Sequence, residues 1–376
     1  MKFKIALEYL DQALKKMKNV IPQRSSIISM QNVLIDATGE KDIVFTGYDG
    51  TISVSCKYPA ETIEEKGSFS LPFKVLLGAS ESFAEGFVSF ELEKEKEDNK
   101  VRVTNNQYSC EITGLPEDEY PAIPKFTESV FYPLNAKNLM DIFEMTSSSA
   151  AKEETRLSLT AICLETTKDG VIKGTGTDGH RLAFCERSNE DNKFFMDSKM
   201  LLPKKSVEPL MALLETCVDK PCQFSFNNNC LIAKENDDII TLRLIDAEYP
   251  NIQEILPSVL NRTHFLRVDR KKVMDAIKFI SNFSDQKTSL VRTELAENKL
   301  TLRSNNYCSA GVISFDVEYD GDTIQTGLNA SYLLEVLKTI QSDSVLVSFA
   351  SDSEPIVLKP DDEADKTFFI IMPMLL

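Results

Sequence analysis

Residues 3–19, FKIALEYLDQALKKMKN, place a short strand directly before an amphipathic helix, and the same figure returns twice further along the chain. Phe131-Tyr132-Pro133-Leu134 precedes a helix from Ala136 to Ser147, and Phe265-Leu266-Arg267-Val268 precedes one from Asp269 to Asn282. Between them lie three more strand-to-helix segments. Ser68 to Leu71 leads to Pro72 to Ala84, Met200 to Leu202 to Pro203 to Cys217, and Thr326 to Leu328 to Asn329 to Gln341. Pro72 and Pro203 fall where the first helical residue is expected, a position at which the missing N–H costs nothing. A repeat of about 130 residues sets the architecture before any motif is weighed: three similar domains, each built of two half-units.

The junctions echo one another as well. Asp118-Glu119-Tyr120-Pro121 and Ala247-Glu248-Tyr249-Pro250 are followed by Ile123-Pro124 and Leu256-Pro257, and read as proline-rich, non-helical connectors. They place the domains at residues 1–125, 126–254 and 255–376. Most of the remaining chain alternates with period two, as in Thr51 to Ser55, Phe87 to Leu92, Gln223 to Phe226 and Val345 to Phe349. These are half-buried strands, separated by turn signals such as Thr38-Gly39, Lys168-Asp169-Gly170, Asn227-Asn228-Asn229 and Asp320-Gly321. Short turns between strands imply antiparallel hairpins, so the class is α+β.

A chain of 376 residues is longer than one core usually serves, which agrees with several domains. Its hydrophobic share of 42% and charged share of 27% are those of an ordinary globular protein. No run approaches the roughly 20 apolar residues of a membrane span and no export signal is visible, so a cytoplasmic location is expected. The eight cysteines lack CxxC spacing and read as reduced core residues. With only His180 and His264, a metal site built on several histidines is excluded; no metal and no cofactor are expected.

The net charge of -16 argues against nucleic-acid binding only if it is spread evenly. The six helical segments hold 12 basic and 10 acidic residues, so the acidic excess lies elsewhere. In the first helix Leu7, Leu10, Leu14 and Met17 form the buried stripe, leaving Gln12, Lys15 and Lys16 outward. In the fifth, Val273, Ala276, Ile277 and Ile280 are buried while Lys271 and Lys278 face out. Any one surface helix exposes some lysines. Six repeated helices on one side of a repeating sheet would instead form a neutral-to-basic lining behind an acidic exterior, suited to phosphate without base readout.

With the repeat established, the local strings resemble the bacterial sliding clamp family, the beta subunit of DNA polymerase III, over essentially the whole length. They are Met1-Lys2-Phe3, Asn32 to Ile35, Thr46-Gly47-Tyr48-Asp49, Thr177-Asp178-Gly179-His180-Arg181-Leu182-Ala183, Glu248-Tyr249-Pro250 and Ile371 to Met374. The resemblance implies a DNA-clamp fold, in which two chains associate head to tail into a six-domain ring around duplex DNA. Replicative polymerase, clamp loader and repair proteins would dock short peptides between the second and third domains. Carried over by motif, the pocket comprises Leu159, Thr177, Gly179, His180, Arg181, Leu182, Pro250, Ile255, Asn329, Tyr332, Pro355, Met372, Pro373 and Met374. DNA contacts carried over the same way are Arg24, Lys74, Lys204 and Lys205, with Lys271 and Lys272 added from the outward helix face. Two departures stand out: Leu375 lies where the family often has Arg, and Glu254 where it is often basic.

Two other functional classes compete with this one. An enzyme using Asp178 and His180 is conceivable as acid/base chemistry, but the chain carries no GxSxG, P-loop or GxGxxG, and a repeat leaves no unique catalytic domain. The chain therefore reads as non-catalytic. An acidic protein-binding scaffold that never touches DNA is the remaining alternative, drawing on the net charge.

Overall fold

The computed structural model describes all residues except 94–98, 124–129, 154, 190–194, 196–197, 218–220 and 228. The boundary expected near residue 125 lies outside the described residues, as does Pro124. All six strand-to-helix half-units are present. Lys2–Ala6 runs into α1 (Leu7–Met17), Ser68–Pro72 into α2 (Phe73–Ser80), and Tyr132–Leu134 precedes α3 (Ala136–Ser147). Met200–Pro203 leads to α4 (Val207–Leu214); a short α5 (Leu256–Leu260) follows. Leu266–Asp269 then enters α6 (Arg270–Ser281), and Ile324–Asn329 enters α7 (Ala330–Thr339).

The chain divides into two compact units, Met1–Lys137 with Lys205–Leu244, and Asn138–Lys204 with Ile245–Leu376. In the first, a nine-stranded antiparallel sheet runs through Ser68–Pro72, Asn32–Asp36, Asp42–Tyr48 and Ile52–Pro59. It continues across a seam, Ile52 against Leu242 and Val54 against Ile240, into Asp238–Arg243, Cys230–Glu235 and Cys222–Asn227. A five-stranded sheet with Tyr108–Thr113 at its edge completes the unit. Its core stacks Phe3 on Phe90 at 4.8 Å and buries Leu10, Leu14, Met17 and Phe45, each large side chain contributing roughly 1.5–3 kcal/mol.

The second unit repeats the plan. Ala161–Thr166, Val171–Thr177 and Arg181–Ser188 join Phe368–Ile371 through the pairs Arg181 with Ile371 and Phe184 with Phe368, within one eight-stranded sheet. A four-stranded sheet has Ala310–Asp316 at its edge. Leu182, Phe184, Tyr249, Ile252, Phe368 and Ile370 share one buried cluster. The repeat extends to details: Tyr120 directs its hydroxyl at the Asn32 and Thr46 carbonyls, and Tyr249 at the Thr175 carbonyl, 3.1 Å away.

Several local expectations require correction. Pro203 ends a strand instead of opening a helix; a 3-10 turn, Lys204–Ser206, intervenes before α4. Pro209 explains the shift, because a helix begun at Pro203 would hold a proline in its interior, whereas beginning at Val207 leaves Pro209 in the tolerated first turn. Pro72 likewise caps α2 from outside it. The connector read as non-helical contains the turn Ile252–Glu254 and α5, with Pro257 at the helix start. The buried stripes of α1 and α6 match their sequence periodicity. Lys16, however, does not face freely outward: its ammonium folds back onto Asp238 and the Tyr58 hydroxyl. Seven cysteines are buried or half-buried, while Cys308 is exposed and falls outside the core reading.

Candidate peptide pocket and nucleic-acid interface

The segment Thr177 to Arg181 makes a tight turn held by its own side chains. Asp178 Oδ1 accepts the backbone N–H of both His180 and Arg181 at 3.0 Å, and the Thr177 hydroxyl donates to the Arg181 carbonyl at 2.6 Å. Gly179 sits at φ +88°, a conformation that costs a residue with a Cβ about 1 kcal/mol or more. Arg181, only 8 % exposed, points inward. Its Nε reaches Asp178 Oδ2 at 3.0 Å, Nη1 reaches Glu335 Oε2 at 2.6 Å, and Nη2 donates to the Ser148 carbonyl at 2.8 Å. The guanidinium carbon also lies 4.3 Å from the centre of the Tyr332 ring.

Around this turn the C-terminal segment is fastened at two points. The Met372 N–H donates to the His180 carbonyl at 2.9 Å, and the Met374 N–H to the Gly327 carbonyl at 2.8 Å. A Cβ on Gly327 would stand 2.7 Å from the Met374 carbonyl oxygen, so this approach requires glycine. Asn329 caps α7 by accepting from Ser331 and Tyr332, which fixes the Tyr332 backbone. The result is an anchored strand end with apolar side chains turned outward: Met372 is 45 % exposed, Leu375 98 % and Leu376 54 %.

Thus Thr177, Gly179, His180, Arg181, Tyr332, Met372 and Met374 are joined by direct contacts or through adjoining backbone. Leu182 belongs to the buried cluster beneath, which also holds Tyr249 and Ile252, the neighbours of half-buried Pro250. Ile255 is exposed at the start of α5. Leu159 is fully buried in the one-turn helix Leu157–Thr160, packed on the strands Ala161–Thr166 and Val171–Thr177. Pro355 lies beside Ile356, whose strand pairs with Ile371; its carbonyl accepts from Arg262. Pro373 is half-buried between the two fastened methionines. Asp178, Glu335 and Ser148 were missed as members of this framework; Glu335 stands 154 residues from its partner, a distance at which no local signal exists.

The basic candidates fall into two groups. Arg24, Lys74, Lys271 and Lys272 are exposed and make no ion pair among the described residues. Lys204 and Lys205 are engaged. Lys204 is half-buried with its ammonium on the Ala150 carbonyl, and burial, then Arg181 nearby, pushes its pKa below the ordinary lysine value. Lys205 is paired with Asp49 at 2.6 Å. Three of these cations occupy a helix start: Lys74 in the first turn of α2, and Lys271 and Lys272 in that of α6. A first-turn cation opposes the helix dipole, so this placement is locally unfavourable. Asp269, capping α6 through the Lys272 N–H at 2.8 Å, offsets part of that cost.

Three family models cover the chain: the N-terminal domain of the DNA polymerase III beta subunit matches residues 1–124, its central domain 133–251 and its C-terminal domain 253–375. The beta sliding clamp of Haemophilus influenzae is 27% identical over 378 residues, and that of Chlamydia muridarum 25% over 380, each across the whole of this chain and 100% or 99% of the relative. Among solved structures, the DNA polymerase III subunit beta of Pseudomonas aeruginosa superposes with a TM-score of 0.89 at 24% identity, covering both chains completely. A sliding clamp from Bartonella birtlesii bound to griselimycin gives 0.90 at 20%, again over both full chains. At these identities the structures establish the fold, and the family models, spanning nearly every residue, establish descent: the chain belongs to the DNA polymerase III beta subunit family.

Proposed function

We propose that the chain is a polymerase processivity factor: two copies close head to tail into a ring around duplex DNA, and each offers a pocket for short peptides of replicative polymerase, clamp loader and repair proteins. In this reading the chain acts without chemistry of its own, in the cytoplasm, on DNA of any sequence. Family membership supports it, as does the absence among the described residues of any helix long and apolar enough to cross a membrane. The three domains expected from the sequence at 1–125, 126–254 and 255–376 are taken as the repeating units of the ring.

The observation that carries the pocket is the C-terminal segment, fastened by backbone at Met372 and Met374 while the side chains of Met372, Leu375 and Leu376 stay exposed. A rigid frame carrying flexible thioethers suits several partners, because methionine adapts to the shape of what it covers. DNA would be held by the helix-start cations, where amide dipoles and lysines attract phosphate together. Subunit pairing is assigned to the free edges Tyr108–Thr113 and Ala310–Asp316, since an open strand edge is a template for another strand.

The test combines affinity with mass. A fluorescent C-terminal peptide of the replicative polymerase is titrated with unaltered protein and with a Met372→Ser, Met374→Ser variant. The variant should bind at least about tenfold more weakly while retaining the mass of two chains. Undiminished peptide binding by the variant would refute the pocket assignment. A failure of the unaltered protein to load on circular DNA would favour the acidic-scaffold alternative.

A further inference from the structure

We propose that Asp49 restrains Lys205 and so weakens the chain's hold on duplex DNA; the inference rests on the DNA reading above. Asp49 sits in a turn whose Oδ1 accepts the backbone N–H of Thr51 and Ile52, both at 2.7 Å, with Gly50 at φ +91°. Two amide hydrogen bonds lock the carboxylate and leave Oδ2 facing Lys205 Nζ at 2.6 Å. The Asp178 turn has the same construction: Oδ1 on two amides, a following glycine at φ +88°, and Oδ2 on a cation, there Arg181. In both repeats the turn presents a fixed anion to a cation.

The consequences differ with exposure. Arg181 is buried and remains with its partners, whereas the Lys205 side chain is 52% exposed against 15% for Asp49. Lys205 is therefore within reach of a phosphate yet must leave a preorganised carboxylate to meet it. The anion left behind would also repel that phosphate. Arg24, Lys74, Lys271 and Lys272 carry no such restraint among the described residues. A contact held back in this way lowers affinity without removing the charge that attracts DNA, which favours sliding over fixed binding.

The experiment measures anisotropy of a labelled linear duplex across a salt series, using the full chain, Asp49→Asn, Lys205→Ala and the double variant. Asparagine keeps the Oδ1 acceptor, so the turn should persist; a thermal melt within a few degrees of the unaltered protein checks this. Asp49→Asn should bind about two- to five-fold tighter, the range set by a half-exposed ion pair. Its plot of log affinity against log salt should steepen by up to about one. In the Lys205→Ala background the gain should shrink to the relief of the carboxylate's own repulsion. Unchanged or weaker binding by Asp49→Asn overturns the proposal, as does a gain undiminished by loss of Lys205, which would be a general charge effect. If Asp49→Asn gains nothing while a Lys271→Ala, Lys272→Ala variant binds more weakly, the restraint falls and the DNA reading stands. If the unaltered protein never binds duplex, both fall.

Discussion

Arg181 has each guanidinium nitrogen hydrogen-bonded inside the protein and its plane over Tyr332. Its contacts hold Tyr332 and the Asp178 turn in place. The string Thr177 to Ala183 was legible from sequence as a mark of the family. The role of Arg181 was not, because Glu335 and Tyr332 reach it only through the fold. Gly327 carries a similar lesson: nothing local distinguishes it from other strand glycines, yet the Met374 carbonyl approaches where its Cβ would be. Gly327→Ala should push the C-terminal segment off its strand at a cost of about 1–3 kcal/mol. Peptide affinity, read by calorimetry, should fall with it, while the secondary-structure signal by circular dichroism stays unchanged.

At the scale of elements, the hydrophobic stripes of α1 and α6 were read correctly because helical spacing alone decides which face is buried. Start points were read less well, since Pro209 governs the beginning of α4 more strongly than Pro203 does. Lys16 shows how a long side chain escapes periodicity: its stem leaves α1 on the solvent side and its ammonium returns to Asp238 and Tyr58. Burial alone would lower the Lys16 pKa, but hydrogen bonds with Asp238 and Tyr58 outweigh it and raise the value above 10.5. A raised folded-state pKa means stabilisation that is complete below 10.5 and lost as pH climbs through the higher value. Lys16→Met should cost about 1 kcal/mol at neutral pH, the upper range for a partly exposed pair. Denaturant titrations should show the gap between the two proteins closing as pH rises beyond 10.5.

For the whole molecule, the sequence repeats three times while the chain packs as two units, with residues 138–204 and 205–244 on different sides of the division. The cause is strand pairing. Ile52–Pro59 pairs with Asp238–Arg243, and Arg181–Ser188 with Phe368–Ile371, so edges that separate repeats would expose are satisfied at each seam. Among the described residues, the edges Tyr108–Thr113 and Ala310–Asp316 have no such partner. Val312, 57 % exposed on the latter, is the position to perturb. Val312→Lys should lower the mass seen by sedimentation from two chains toward one, with the melting temperature of the separated chain barely changed; an intact dimer would place subunit pairing elsewhere.

The amino-acid order by itself determined the repeat, the α+β class, the buried faces and the family, because all of these are written in local periodicity and short strings. Tertiary structure decided how the repeats join into continuous sheets, which lysines stay free, and what holds Tyr332 and the C-terminal segment in place. Those outcomes depend on atoms brought together from distant positions, such as Lys205 with Asp49 and Arg181 with Glu335, whose pairing no local pattern encodes.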